Sequence, residues 1–355
     1  MQGSVSFHPI DMRFFEELIE PLICGGKVNP EDYLAEALRC RQVHARARRY
    51  IYGIDNLMSA AEPPPVVPQK TWLNAVKVRV ERMAFDPGPV VKKALDLIDP
   101  DLHLEGRPFF ISEGSAERVA DLVQDYRDAP SGDAADSLAL EQLVRLDPEL
   151  AREVEADPFE PDSSDMSHRN ELLGALKNIF DLAKSARDGD DWGRLGGDRR
   201  PAVQVMAEEL PWKAVAMSAR VMPFWQAKDV DGLETICGLA GVEPPPVMVP
   251  AWRLFGEACQ EFPELQAAMG VELNGPQAVG AFVAAEDVAE LQDFLNASGS
   301  RIIQAATQHG EGAACRTLLR KIRECVTFCE RHGLAYLEAS GIESPELQSP
   351  PKPGR

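Results

Sequence analysis

The sequence predicts a mainly α-helical protein, built in two similar helical parts with few or no short strands. Three observations carry this expectation. Apolar residues recur at steps of three and four along much of the chain. Alternating apolar and polar runs, the mark of a half-buried strand, are sparse. A series of landmarks also recurs in the same order in both halves.

Taken in chain order, Asp11 is placed to cap a helix that runs to about Ile23 and closes at Gly25 and Gly26. Asn29-Pro30-Glu31-Asp32 combines a capping side chain, a proline in the first turn and acids near the positive helix end. From there Tyr33, Ala37, Cys40, His44, Ala47, Ile51, Ile54 and Met58 mark one buried stripe on a long helix. The run VKVRV at 76–80 alternates, yet Leu73, Val76, Val80 and Met83 also fit a helix, and helix is the reading adopted. EPPPVVP at 62–68 and EPPPVMVP at 243–250 interrupt the regular patterns, and 343–355 reads as a disordered tail.

The domain organisation expected is an N-terminal helical part, 1–195, and a C-terminal helical part, 196–342, joined through RDGDDWGRLGGDRRP at 187–201. The N-terminal part contains an acidic, loop-rich segment, 99–165, with 19 acids against five arginines, a net of −14. Its stretches DAPSGDAADS and ADPFEPDSSD read as solvated loops between short helices. IDNLMSAAEPPP is echoed by ICGLAGVEPPP, each followed by a tryptophan, Trp72 and Trp252. ELLGALKNIFDLAKSA, from Glu171, is echoed by TLLRKIRECVTFCERH, from Thr317. These echoes read as a tandem duplication. The alternative is that prolines and leucines recur by composition in any helical protein.

Composition bounds the function. The formal charge is −20, from 57 acids and 37 bases, a surface that repels phosphate backbones and anionic membranes. Nucleic acid and membrane are therefore not the partners expected. The chain does not open on a cationic stretch followed by a long apolar run, and no stretch approaches membrane-spanning length. Seven cysteines without a CxxC pair indicate free thiols in a reducing compartment, so a cytoplasmic location is expected.

Few residues look like chemistry. On the helix that begins near Cys315, the spacing Cys325-x3-Cys329-x2-His332 sets three metal-ligand types on neighbouring turns, with His309 as a possible fourth. Against a zinc site stand the missing short knuckles and the echo, which sets Ile179 and Ala183 opposite Cys325 and Cys329. Cysteine as a small core hydrophobe is the reading preferred, and no metal or cofactor is expected. Phe328 points away from that stripe, as a second packing face or an exposed aromatic anchor for a partner. Trp192, in the 189–201 loop, is the other candidate contact. The basic run RCRQVHARARRY, 39–50, divides its arginines between the two flanks of the buried stripe, where they can pair with acids after Asp99. No HExxH, GxSxG or GxxxxGK[ST] occurs.

The function expected is a non-catalytic interaction protein of adaptor, chaperone or immunity (inhibitor) type that shows an acidic surface to a basic protein partner. The rival is an enzyme or metalloprotein whose site no short motif reveals, centred on Cys325, Cys329 and His332.

Overall fold

The computed structural model describes residues 4–61, 98–103, 108–110, 115–158, 164–193, 199–228, 230–275 and 277–342. The prolines at 62–68, Trp72, the run at 76–80 and the tail from 343 lie outside these residues. Helix dominates, as expected. Sheet was not expected, and it is the main correction.

The strands are β1 (Val5–Ile10), β2 (Ile98–His103), β3 (Pro108–Phe110), β4 (Asp191–Trp192), β5 (Arg200–Pro201), β6 (Phe224–Ala227), β7 (Val249–Pro250), β8 (Val279–Val283) and β9 (Ala335–Ser340). β4 and β5 form a small hairpin by themselves. The other seven make one antiparallel sheet in the order β3-β2-β6-β1-β9-β8-β7, of which β3 and β7 are very short. β1 sits in the middle, with Phe7 opposite Trp225 of β6 and Glu338 of β9. Pro9 lies beyond the last residue of β1 paired with β6, where a missing N–H breaks no bond on that side. Strands from both sides of residue 195 therefore interleave in one sheet.

Sequence periodicity hid these strands for a physical reason. Every residue of β1, β8 and β9 is buried, because helices cover both faces of the sheet. A strand covered on both faces has no solvent side, so it shows no alternation. Ser6, His8, Glu338 and Ser340 then break the apolar run that would have remained.

The helices used below are α1 (Glu31–Ala47), α2 (Arg49–Ala61), α3 (Ala116–Arg127), α4 (Gly132–Leu146), α5 (Asp165–Asp188), α6 (Ala202–Ser218), α7 (Leu233–Leu239), α8 (Val288–Gln308) and α9 (Gly312–His332). On one face Val5, Phe7, Trp225 and Tyr336 pack with α1, α3, α4, α8 and α9. On the other, Ile10, Phe224, Phe282 and Leu337 pack with α5, α6 and the helical segment after β1. The echoing helices α5 and α9 thus lie against opposite faces.

Local signals explain several helix ends. The Asp11 carboxylate accepts from the Arg13 N–H at 3.1 Å and opens the first helical segment, which widens to a π turn over Phe15–Ile19. The stripe from Ala37 to Ile54 is buried as expected, but it is carried by two helices that break at Arg48. α5 ends on Gly189 at φ +72°, a left-handed position that glycine adopts without strain.

Candidate interaction surface

The cysteine helix packs as core. Cys315, Cys325 and Cys329 lie in the same apolar cluster as Leu318, Leu319 and Ile322. The Cys329 thiol donates to the Ala335 carbonyl at 3.3 Å. Burial pushes the Cys325 thiol well above its ordinary range, and the neighbouring Cys329 adds to this. His332 packs tilted against Phe328 with ring centroids 4.5 Å apart, while His309 is exposed at the far end of α8. Among the described residues no three His, Cys, Asp or Glu side chains are placed to hold a metal ion.

Phe328 as an exposed anchor is corrected. It is fully buried, 5.8 Å from Trp225 by ring centroids, and its neighbours Lys321 and Glu324 are buried too. The Lys321 ammonium stands 3.4 Å from a Glu324 carboxylate oxygen. α9 lies against the sheet, α8 and α3 at once, so a helix that reads as amphipathic is covered nearly all round. Trp192 is half-buried on β4 and packs against the cluster of α5 and α6.

The basic run holds the acidic segment in place. Arg39 donates to the Glu36 carboxylate and, at 2.7 Å each, to the carbonyls of Arg127 and Ala129. Arg49 pairs with Asp136 at 2.7 Å and donates to the Asp157 carbonyl at 2.6 Å; Arg46 lies 3.7 Å from the same Asp136. The Arg46 stem runs over Gly132, where a Cβ would lie 2.5 Å from it. Arg41 and Arg48 are buried. His44, between them on the stripe, is held well below its ordinary pKa by burial and by Arg48 and Arg39, so it stays neutral.

The segment these arginines hold contains more helix than expected. Ser115 and Ser131 cap α3 and α4, each hydroxyl accepting a backbone N–H at 3.3 Å. Half of the supposed loop DAPSGDAADS is therefore the first turns of α4. Val119, Ala120, Leu122, Val123 and Tyr126 turn inward from α3, and Ala135, Ala139 and Leu143 from α4. Outward along α3 stand Glu117, Asp121 and Asp125, and Asp128 at its C-terminal end continues the row at helical spacing. Asp133 and Glu141 are exposed on α4, with Glu149 and Glu153 just beyond it. Leu140 and Val144, four residues apart on α4, are 37% and 46% exposed among these acids.

Like charges crowd on this surface. The Asp125 carboxyl is raised from its ordinary value by partial burial and then by the charges of Asp121 and Asp128. Arg331, reaching from the end of α9, pairs with Asp121 and donates to the Glu117 carbonyl at 2.9 Å.

A buried carboxyl that no sequence pattern marked lies on β9. Glu338 accepts from the Tyr336 hydroxyl at 2.9 Å and from the Leu233 backbone N–H at 3.2 Å. Burial pushes it up to about 7. Gly232 lets the chain pass, since a Cβ there would lie 2.7 Å from the carboxylate. Perturbed carboxyls of this sort often mark active sites. Here its nearest titratable neighbours include Cys237, whose thiol burial pushes up to about 12, so no activated nucleophile stands beside it. Its visible work is to fix the start of α7 on the sheet. No helix among the described residues is long and apolar enough to cross a membrane.

The chain is similar to tRNA dimethylallyltransferase 2 of Geotalea uraniireducens (strain Rf4), with 25% identity over 157 residues, 44% of this chain and 49% of that protein. It thus spans about half the length of the curated relative it matches. No family model matches the chain. No solved structure matches it either.

Proposed function

We propose that this chain is a non-catalytic interaction protein of the cytoplasm, of adaptor, chaperone or immunity type, which presents an acidic helical surface to a basic protein partner. The observation that carries this reading is the outward row of Glu117, Asp121 and Asp125 on α3 and Asp128 at its end, together with Leu140 and Val144 exposed on α4. Carboxylates repeated every three or four residues weaken the helix that bears them. Their concentration on one capped, well-packed helix is what a partner of opposite charge would use. Apolar side chains set among them supply the desolvated contact that charges alone do not.

The relative's name says that it acts on tRNA. For this chain a net charge of −20 disfavours a phosphate backbone, and the proposal takes protein rather than RNA as the partner.

A tagged full-length chain, used as bait in its host's lysate across a salt series, tests the proposal. A basic protein should be retained at about 50 mM salt and released by about 500 mM, because screening shortens the reach of exposed charges. Bulk tRNA applied to the same bait should pass through. Retained tRNA, or a partner indifferent to salt, would overturn the reading.

A further inference from the structure

Far from the acidic row, α7, the end of α8 and the first turn of α9 enclose a cleft of about 340 Å³. Ile236, Ala306, Ala313 and Cys315 give it apolar walls. Leu239 stands at its edge with 53% of its surface exposed. A single exposed leucine is ordinary. One beside an open apolar cleft with room for a large side chain is a candidate contact.

The charged side chains that line the cleft have one sign. Apart from the Cys315 thiol, its ionisable lining groups are the carboxylates of Asp231 and Glu311, both exposed. Neither forms an ion pair among the described residues. Arg316 follows Cys315 on α9 but does not line the cleft. A purely apolar visitor would cover these carboxylates and leave them without a counter-charge, and an acidic one would be repelled.

We infer that this cleft is a second docking site, which takes a large apolar side chain carried on a basic segment of a partner protein. The apolar side chain fills the space beside Leu239, and flanking lysines or arginines meet Asp231 and Glu311. Cys315 and Arg331 are 16 residues apart on α9, so the cleft lies about 24 Å from the acidic row. The inference shares the sign of the partner's charge with the proposed function but rests on different residues, so either can fail alone.

The test is a random peptide library panned on the full-length chain, with clones that also bind Ala313→Trp discarded. That variant fills the cleft from an exposed helical position. Leu239→Asp, also at an exposed position, serves as a second, independent block. Surviving peptides should carry a leucine or an aromatic residue flanked by lysine or arginine. By fluorescence polarisation their affinity should fall about tenfold or more on Leu239→Asp and on the double variant Asp231→Lys/Glu311→Lys. It should stay unchanged on Asp121→Lys/Asp125→Lys. No survivors, acidic survivors, or binding indifferent to Leu239→Asp would overturn the inference. Binding lost only on the α3 reversal would overturn it too, while leaving the proposed function standing.

Discussion

Glu338 and His44 are both buried titratable groups, and they make stability depend on pH in opposite directions. The folded chain holds the Glu338 proton up to about pH 7, whereas the unfolded chain releases it near 4.5. The folded state therefore binds more protons in that window, and stability falls as pH rises from 4.5 to 7, then levels off. A shift of this kind corresponds to roughly 3 kcal/mol. The groups around the carboxyl are the Tyr336 hydroxyl, the Leu233 N–H, Glu234, Cys237 and Cys325. Glu338→Gln keeps an oxygen to accept from the Leu233 N–H and sets its amide N–H to donate to the Tyr336 oxygen, and it should flatten the wild-type slope between about pH 5 and 7 in urea unfolding. An unchanged slope would show that Glu338 is not its source. His44 works the other way. Its folded pKa is depressed, so the stability it supports is present above its ordinary 6.5 and lost as pH falls below it. Above 6.5 only Glu338 contributes; below, the two oppose each other.

The same residues show what could be read at this scale. His44 as a neutral core histidine and the cysteines as packing side chains follow from their places on a helical stripe. Glu338 could not be anticipated, because AYLEAS carries no signal that its glutamate faces inward. Periodicity sets Phe328 off the cysteine stripe, but it cannot show that further neighbours cover that side and bury it.

At the scale of elements, close approach decides what a helix tolerates. Gly53 on α2 lies so near the segment after α4 that a Cβ would stand 2.1 Å from the Glu155 carbonyl oxygen. Gly53→Ala gains about 1 kcal/mol of helix propensity but costs about 1–3 kcal/mol in overpacking. The net should be a lower thermal midpoint. Gly174 on α5 has nothing within 4 Å of the same construction, so Gly174→Ala should raise the midpoint instead. Equal effects at the two sites would contradict the packing described.

The acidic row on α3 makes a different prediction. Asp125 faces Asp121 and Asp128 at helical spacing, and removing a like-charge pair stabilises a helix by about 0.2–0.5 kcal/mol. Asp125→Asn should therefore be slightly more stable in chemical unfolding and retain less partner. Caps and stripes made the helices legible in the sequence, including the start of α1 and the inward face of its stripe. Short helices were expected in this segment, but its acids gave the start of α4 the composition of a loop. Ser131 is a capping residue followed by Ala135, Ala139 and Leu143, so the signal for α4 was present beneath that composition.

At the scale of the molecule, the sheet draws the chain together. β1 is paired on one side with residues 224–227 and on the other with residues 335–340. Pairing across such sequence separations leaves no local trace, which is why the sheet was invisible while the helices around it were not. The charge of −20 was legible at once, but its placement was not. Three arginines of the basic run, Arg39, Arg46 and Arg49, are spent holding the acidic segment, and the carboxylates facing outward on α3 and α4 are the ones a partner would meet.

The most direct measurement compares wild type with Glu117→Lys/Asp121→Lys/Asp125→Lys as baits from the same host lysate at low salt, after both are shown to be folded by circular dichroism. The account predicts that a basic protein captured by the wild type is missing from the variant. The same protein captured equally by both would contradict it.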